Sequence, residues 1–463
     1  MKTNLLNTFA CGLAVFTLTP NLSTTAAVTA VAPSSTLNLS TSTGGSTARL
    51  TITNAGDQIW VIQSSSNLVN WMEVEAWKIH NGSYHRNLTN GPAKPNLFYR
   101  AFYDDVRQDI FSATTNALLL PSVSFNYAAQ VLPPSFFVQP IAAQDNMPAT
   151  NVTTAAGATL GRVLFYDKRL STNQTVSCSS CHQQAHGFSD PRQFSIGFDG
   201  SVGTRNSMGL SNARWYQRKH FFWDERANTL EDQVLQPIQN PIEMGMTLEA
   251  LTNRLATEPF YTNLFAVTFG STAVTTDRIG RSLAQFVRSI ISTKSKYDIG
   301  VTSNFANFTA QEILGRQIFL GQVGNATCAA CHGTDNFVPG PALNNNGLEF
   351  PYVDKGVGTI TGLATDDGKF KVPSLRNIEL TAPYMHDGRF TNLEQVVEFY
   401  NSGVVNNPNL SPPLRVSGPG GGGVLRLNLT DTQKAALVAF LKTLTDTTLA
   451  TDAKFSDPFN YGD

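Results

Sequence analysis

Residues 176–184 read VSCSSCHQQ, and residues 326–334 read ATCAACHGT. Each stretch places two cysteines three positions apart and follows the second with a histidine. The chain of 463 residues has five cysteines, and Cys178, Cys181, Cys328 and Cys331 all fall in these two motifs. The fifth, Cys11, lies in an N-terminal segment that reads as an export signal. There Lys2 precedes the apolar run LLNTFACGLAVFTL, and the small residues of STTAAVTAVA offer cleavage points. Residues 1–30 are therefore expected to be a signal peptide, and the mature protein to be soluble and exported to the periplasm. The apolar run is too short to span a bilayer comfortably, and no other segment reads as transmembrane.

Export sharpens the reading of the four remaining thiols. In an oxidising compartment, free CxxC pairs close into disulfides unless they are otherwise occupied. A redox CxxC calls for a thioredoxin-like βαβ setting, which is missing. A structural zinc site needs four ligands in one module, whereas these pairs lie far apart in the chain. Covalent haem c fits the whole pattern: both thiols add to the haem vinyl groups, and the adjacent histidine reaches the iron. Two covalently bound haem c groups are expected, with the four cysteines as thioether anchors and His182 and His332 as iron ligands.

A repeat surrounds the motifs. LGRVLF (160–165) precedes the first and LGRQIF (314–319) the second, as the amphipathic helix leading into a cytochrome c haem motif does. Thr309 and Glu312 form a capping-box pattern before the second copy, as do Thr430 and Gln433 before an apolar series through Leu437, Phe440, Leu441 and Leu444. Ile279, Leu283, Phe286, Val287 and Ile290 also keep the helical period. Before residue 110 the pattern differs. ARLTITN, QIWVIQSSS and NLFYRAFY read as strands between turn signals, so residues 35–108 are expected to form a small β-sandwich. His80 and His85 lie there as isolated surface histidines. Residues 109–145 read as a linker, and the Gly-rich VSGPGGGGV as a loop with no nucleotide role. A net charge of -1 with 14% charged residues gives no sign of nucleic-acid binding.

Residues from about 140 to 446 resemble the bacterial di-haem cytochrome c peroxidases, and more closely the branch that contains MauG. The matching text is LFYDKRLSTNQTVSCSSCH, GTRN, FFWDERANTLEDQ, PIQNPIEMG, CAACHG, FKVPSLRNIELTAPYMHDGRF and TNLEQVVEFYNSG. The resemblance implies a mainly α fold: a peroxidatic haem c domain at 146–298 and an electron-transfer haem c domain at 299–450, behind the β domain. It implies hydrogen peroxide as substrate, with either a small redox protein as donor or a partner protein as the substrate oxidised. It makes Glu243, in PIEMG, the distal acid–base group and Trp223, in FFWDER, the indole between the haems. Glu225 stands where the family commonly has glycine. One calcium ion is implied, with the Asn206 side chain and the Thr381 and Pro383 carbonyls as ligands.

Two positions separate the branches. Where reductively activated relatives carry a histidine that caps the first haem, this chain has Phe198, and no histidine occurs between His186 and His220. The first haem is therefore expected to be open. His186 reads as a loop histidine on the proximal side. The sixth ligand of the second haem is expected to be Tyr400, as in the MauG branch, with Met385 as the rival and His386 in a supporting role. A di-haem electron carrier without catalysis is the remaining alternative, and Glu243 beside an open site argues against it.

Overall fold

The computed structural model describes residues 117–461 apart from 327, 339–342 and 417–421, together with the backbone of seven strands between residues 13 and 103. The chain divides into two compact units. The first comprises residues 1–129, 259–272 and 460–463. Its strands are β1 (Leu13–Leu18), β2 (Thr36–Thr41), β3 (Thr47–Asn54), β4 (Gln58–Ser65), β5 (Met72–Ile79), β6 (Gly82–Thr89) and β7 (Leu97–Tyr103). They form two antiparallel sheets, ordered β1-β7-β4-β5 and β2-β3-β6. Trp60 and Ile62, two apart on β4, are both fully buried, as the alternation of a strand requires.

Strands and two sheets stand where a sandwich was expected, but no sandwich is seen among the described residues. The stacking of one sheet on the other lies outside the described residues. So do most of the leader, His80, the side chain of His85 and the centre of the Gly-rich loop. One detail bears on the leader: β1 falls inside it and pairs along β7 from Leu13↔Phe102 to Leu18↔Leu97. Cleavage near residue 30, as expected for a signal peptide, would remove this edge strand.

The second unit, residues 130–258 and 273–459, is helical and carries both CxxCH motifs. Its frame is two crossed helix pairs. Helix α1 (Ala155–Tyr166) packs on α2 (Thr276–Ser289), and α3 (Ala310–Phe319) packs on α4 (Asp431–Lys442). The sequence repeat sits at both crossings. A Cβ on Gly161 would lie 1.9 Å from the Ser282 carbonyl oxygen, and one on Gly315 would lie 1.9 Å from that of Ala436. The next turns repeat the match, with Phe286 Cβ and Phe440 Cβ each 2.8 Å from where such a methyl would sit. Only glycine lets two backbones approach so closely. Thr154, Thr275, Thr309 and Thr430 cap the four helices through their side chains, and the boxes Thr309–Glu312 and Thr430–Gln433 close as expected. The short helix Lys296–Thr302 spans the expected junction between the two haem-binding halves. Among the described residues, no helix is long and apolar enough to cross a membrane.

Candidate active site

Each CxxCH motif makes a short turn of helix that presents its side chains to a cavity. His182 N donates to Cys178 O at 2.9 Å and His332 N to Cys328 O at 2.8 Å, so both histidines leave the turn in the same way. All four thiols are free, and they line two different cavities together with their histidines.

The rings are oriented from behind. His182 Nδ1 lies 2.9 Å from Phe188 O, and His332 Nδ1 lies 3.4 Å from Phe337 O. A ring that donates from Nδ1 keeps Nε2 as the nitrogen for iron. Phe188 and Phe337 both adopt left-handed φ, 61° and 54°, which turns their carbonyls toward the rings. Burial lowers the pKa of His182 and takes that of His332 down to about 4, so both imidazoles stay neutral, the form that ligates metal. Apolar cavities, paired thiols and neutral imidazoles together fit two covalent haems.

The first cavity, about 570 Å³, is lined by Cys178, Cys181, His182, Trp223, Arg226 and Glu243 among others. Among the described residues, His182 is the one histidine in its lining; His186 and His220 are not part of it. Glu243 is held by Asn240, whose Nδ2 donates to Oε1 at 2.7 Å. Burial pushes the Glu243 carboxyl up, while the Arg226 charge and the Asn240 bond pull it down, and burial prevails. Phe198 takes no part in the lining. Its N–H donates to Glu243 O at 3.0 Å, and its ring covers Gly245, where a Cβ would lie 2.5 Å from Cε1. The loop at the expected position of a capping histidine is thus pinned beside Glu243 with its aromatic ring turned to Gly245.

The second cavity, about 230 Å³, is lined by Cys328, Cys331 and His332 and by both rival ligands, Met385 and Tyr400. Asn346 Nδ2 lies 3.4 Å from Met385 Sδ and 3.5 Å from Tyr400 Oη, so one amide touches both. Tyr400 stands in a π turn, Phe399–Gly403, that follows the helix Leu393–Glu398. Such turns recur at functional sites because they re-aim a side chain. Burial pushes the Tyr400 hydroxyl up to about 12, against a small lowering by Asn346. His386 also lines this cavity; it is buried and stacks on Phe370, centroids 4.0 Å apart and planes 16° apart.

Trp223 lines both cavities, as do Asn206 and Lys371. Its Nε1 donates to Asn206 O at 2.8 Å. Asn206 is buried and spends its Nδ2 on the carbonyls of Arg192 and Gln193, at 3.0 and 3.3 Å. Its Oδ1 accepts no hydrogen bond among the described residues, and Thr381 and Pro383 share the second cavity with it. Neutral oxygen donors of this kind suit a hard cation, so the donor set fits calcium. Among the described residues, no cluster of three or more His, Cys, Asp or Glu could hold a metal ion.

Four neighbours were not singled out by sequence: Asn240, Arg226, Asn346 and Lys371. Asn240, Arg226 and Lys371 lie inside the matching motifs, which was the available signal; Asn346 lies in a plain NNN run.

The family model for di-haem cytochrome c peroxidase matches residues 155–304. The cytochrome c551 peroxidase of Nitrosomonas europaea is 38% identical over 245 residues, covering 52% of this chain and 71% of that protein. The methylamine utilization protein MauG of Methylorubrum extorquens is 32% identical over 300 residues, 64% of this chain and 80% of that protein. The chain belongs to the di-haem cytochrome c peroxidase family. It is an oxidoreductase of that family, and its two CxxCH motifs fit the two haems that the family's description states. Among solved structures, a MauG-like protein associated with microbial copper homeostasis is similar, with 36% identity and a TM-score of 0.61. That match covers 71% of this chain and 99% of the other.

Proposed function

We propose that the protein is a periplasmic di-haem c peroxidase that reduces hydrogen peroxide to water with electrons from a small redox protein. The observation that carries this reading is Glu243, part-buried in the wall of the first cavity, with Cys178, Cys181 and His182 in the same lining. Haem iron, when bound there, supplies the redox chemistry that breaks the O–O bond. Glu243 takes a proton from peroxide and returns it to the departing oxygen, which helps the bond break unevenly. Asn240 holds one carboxylate oxygen in place, and the Arg226 charge offsets part of the rise in pKa that burial causes. Trp223, in the wall of both cavities, carries electrons from the second site to the first. Asn206, Thr381 and Pro383 hold one calcium ion that steadies this junction.

A second reading is favoured by Phe198 and Tyr400. A first site with no capping histidine needs no reductive activation, and phenolate ligation at the second favours ferric and higher-valent iron. Both suit a MauG-like enzyme that uses peroxide to oxidise residues of a partner protein. Mixing ferric protein with peroxide separates the two. Rapid turnover of a reduced small cytochrome supports the peroxidase, whereas a long-lived oxidised state that ignores the cytochrome supports protein oxidation. No spectral response to peroxide at all overturns both.

A further inference from the structure

A buried polar cluster lies beside Trp223 and has no part in the chemistry above. Tyr216, 2% exposed, lines the first cavity. Its hydroxyl donates to Glu225 Oε1, and Arg218 Nε donates to the other carboxylate oxygen, Oε2, at 2.6 Å. Lys371 Nζ lies over the Tyr216 ring, 2.8 Å from its centroid. Lys371 N donates to Trp223 O at 2.8 Å, which ties the cluster to the indole. Glu225 itself is 6% exposed and has a left-handed φ of 56°, a backbone state that favours glycine. A large side chain that tolerates this conformation and burial points to a task for its carboxylate.

We propose that Tyr216 is an oxidisable side chain of this protein and that Glu225 accepts its phenolic proton. The step is balanced within the protein, given peroxide as oxidant. One electron leaves the phenol and fills one of the two oxidising equivalents that peroxide delivers at the first cavity. The O–H bond of Tyr216 breaks, and the proton forms an O–H bond on Glu225 Oε1. A neutral tyrosyl radical and a neutral carboxylic acid remain. The geometry selects this coupled route. Burial lowers the Lys371 amine to about 7; in its protonated form it opposes loss of an electron alone, because the product would be a radical cation facing an ammonium. Loss of the proton along the existing hydrogen bond avoids that product. Arg218 keeps its bond to Oε2 throughout, so the acceptor stays in place.

This inference rests on the peroxide-using reading, and the experiment separates the two. Ferric holoprotein is mixed with hydrogen peroxide, frozen within milliseconds to seconds, and examined by electron paramagnetic resonance beside its optical spectrum. A tyrosyl signal that narrows in protein made with ring-deuterated tyrosine is expected. Tyr216→Phe should lower it at least tenfold. Glu225→Gly suits the local backbone, so the fold is retained while the proton acceptor is lost, and it should lower the signal to a similar extent. Haem content by mass and the ferric spectrum verify both variants. An optical response with no tyrosyl signal overturns the inference, as does a signal that persists in Tyr216→Phe or in Glu225→Gly. No optical response faults the peroxide reading first and this inference with it.

Discussion

Glu243 is a carboxylate whose surroundings raise its pKa while Asn240 fixes its direction. To take a proton from peroxide it must be ionised. Peroxide activation should therefore fall as pH drops through its raised pKa, and be full above it. Glu243→Gln should keep both haems, slow the peroxide-driven spectral change by about 100- to 10,000-fold, and lose that acid limb. A near-native rate, or an unchanged pH profile, would remove Glu243 from the mechanism. Glu243, Trp223 and the anchor residues were legible because long motifs carry them. Asn346 was not, since its meaning comes from Met385 and Tyr400, which approach it only in the fold. The left-handed backbone at Glu225 was equally hidden: sequence showed an unusual residue, and only geometry explained why glycine suits that place.

At the scale of elements, the repeat LGRVLF and LGRQIF was readable, but its reason was not. Gly161 and Gly315 are the points where paired helices meet backbone to backbone. Alanine at either position must push a carbonyl aside, because the obstacle is main chain. Gly161→Ala or Gly315→Ala should cost about 1–3 kcal/mol or more, read as a lower denaturant midpoint with little change in slope. An unchanged midpoint would mean that the helices separate freely. Thr309→Ala removes a cap and should cost about 1 kcal/mol by the same measurement. The helices read most accurately were those with capping boxes and a full period. The π turn Phe399–Gly403 was not read at all, because nothing in FYNSG marks where the backbone bonding slips. Of the seven strands, β3, β4 and β7 were found from alternation, which fixes faces and says nothing of how two sheets meet.

For the whole molecule, one helical unit carries two cavities whose linings differ. Protein made with haem-maturation machinery should carry two haems by intact mass, and a mass for one would end the account. Among the described residues, the first cavity's lining holds His182 and no second histidine, while the second's holds His332, Met385, His386 and Tyr400. Electron paramagnetic resonance of the ferric protein tests this most directly. One high-spin and one low-spin haem are predicted without prior reduction, with the low-spin signal changed by Tyr400→Phe and nearly intact in Met385→Leu. Two low-spin haems in the native protein, or loss of the low-spin signal in Met385→Leu rather than Tyr400→Phe, would contradict it.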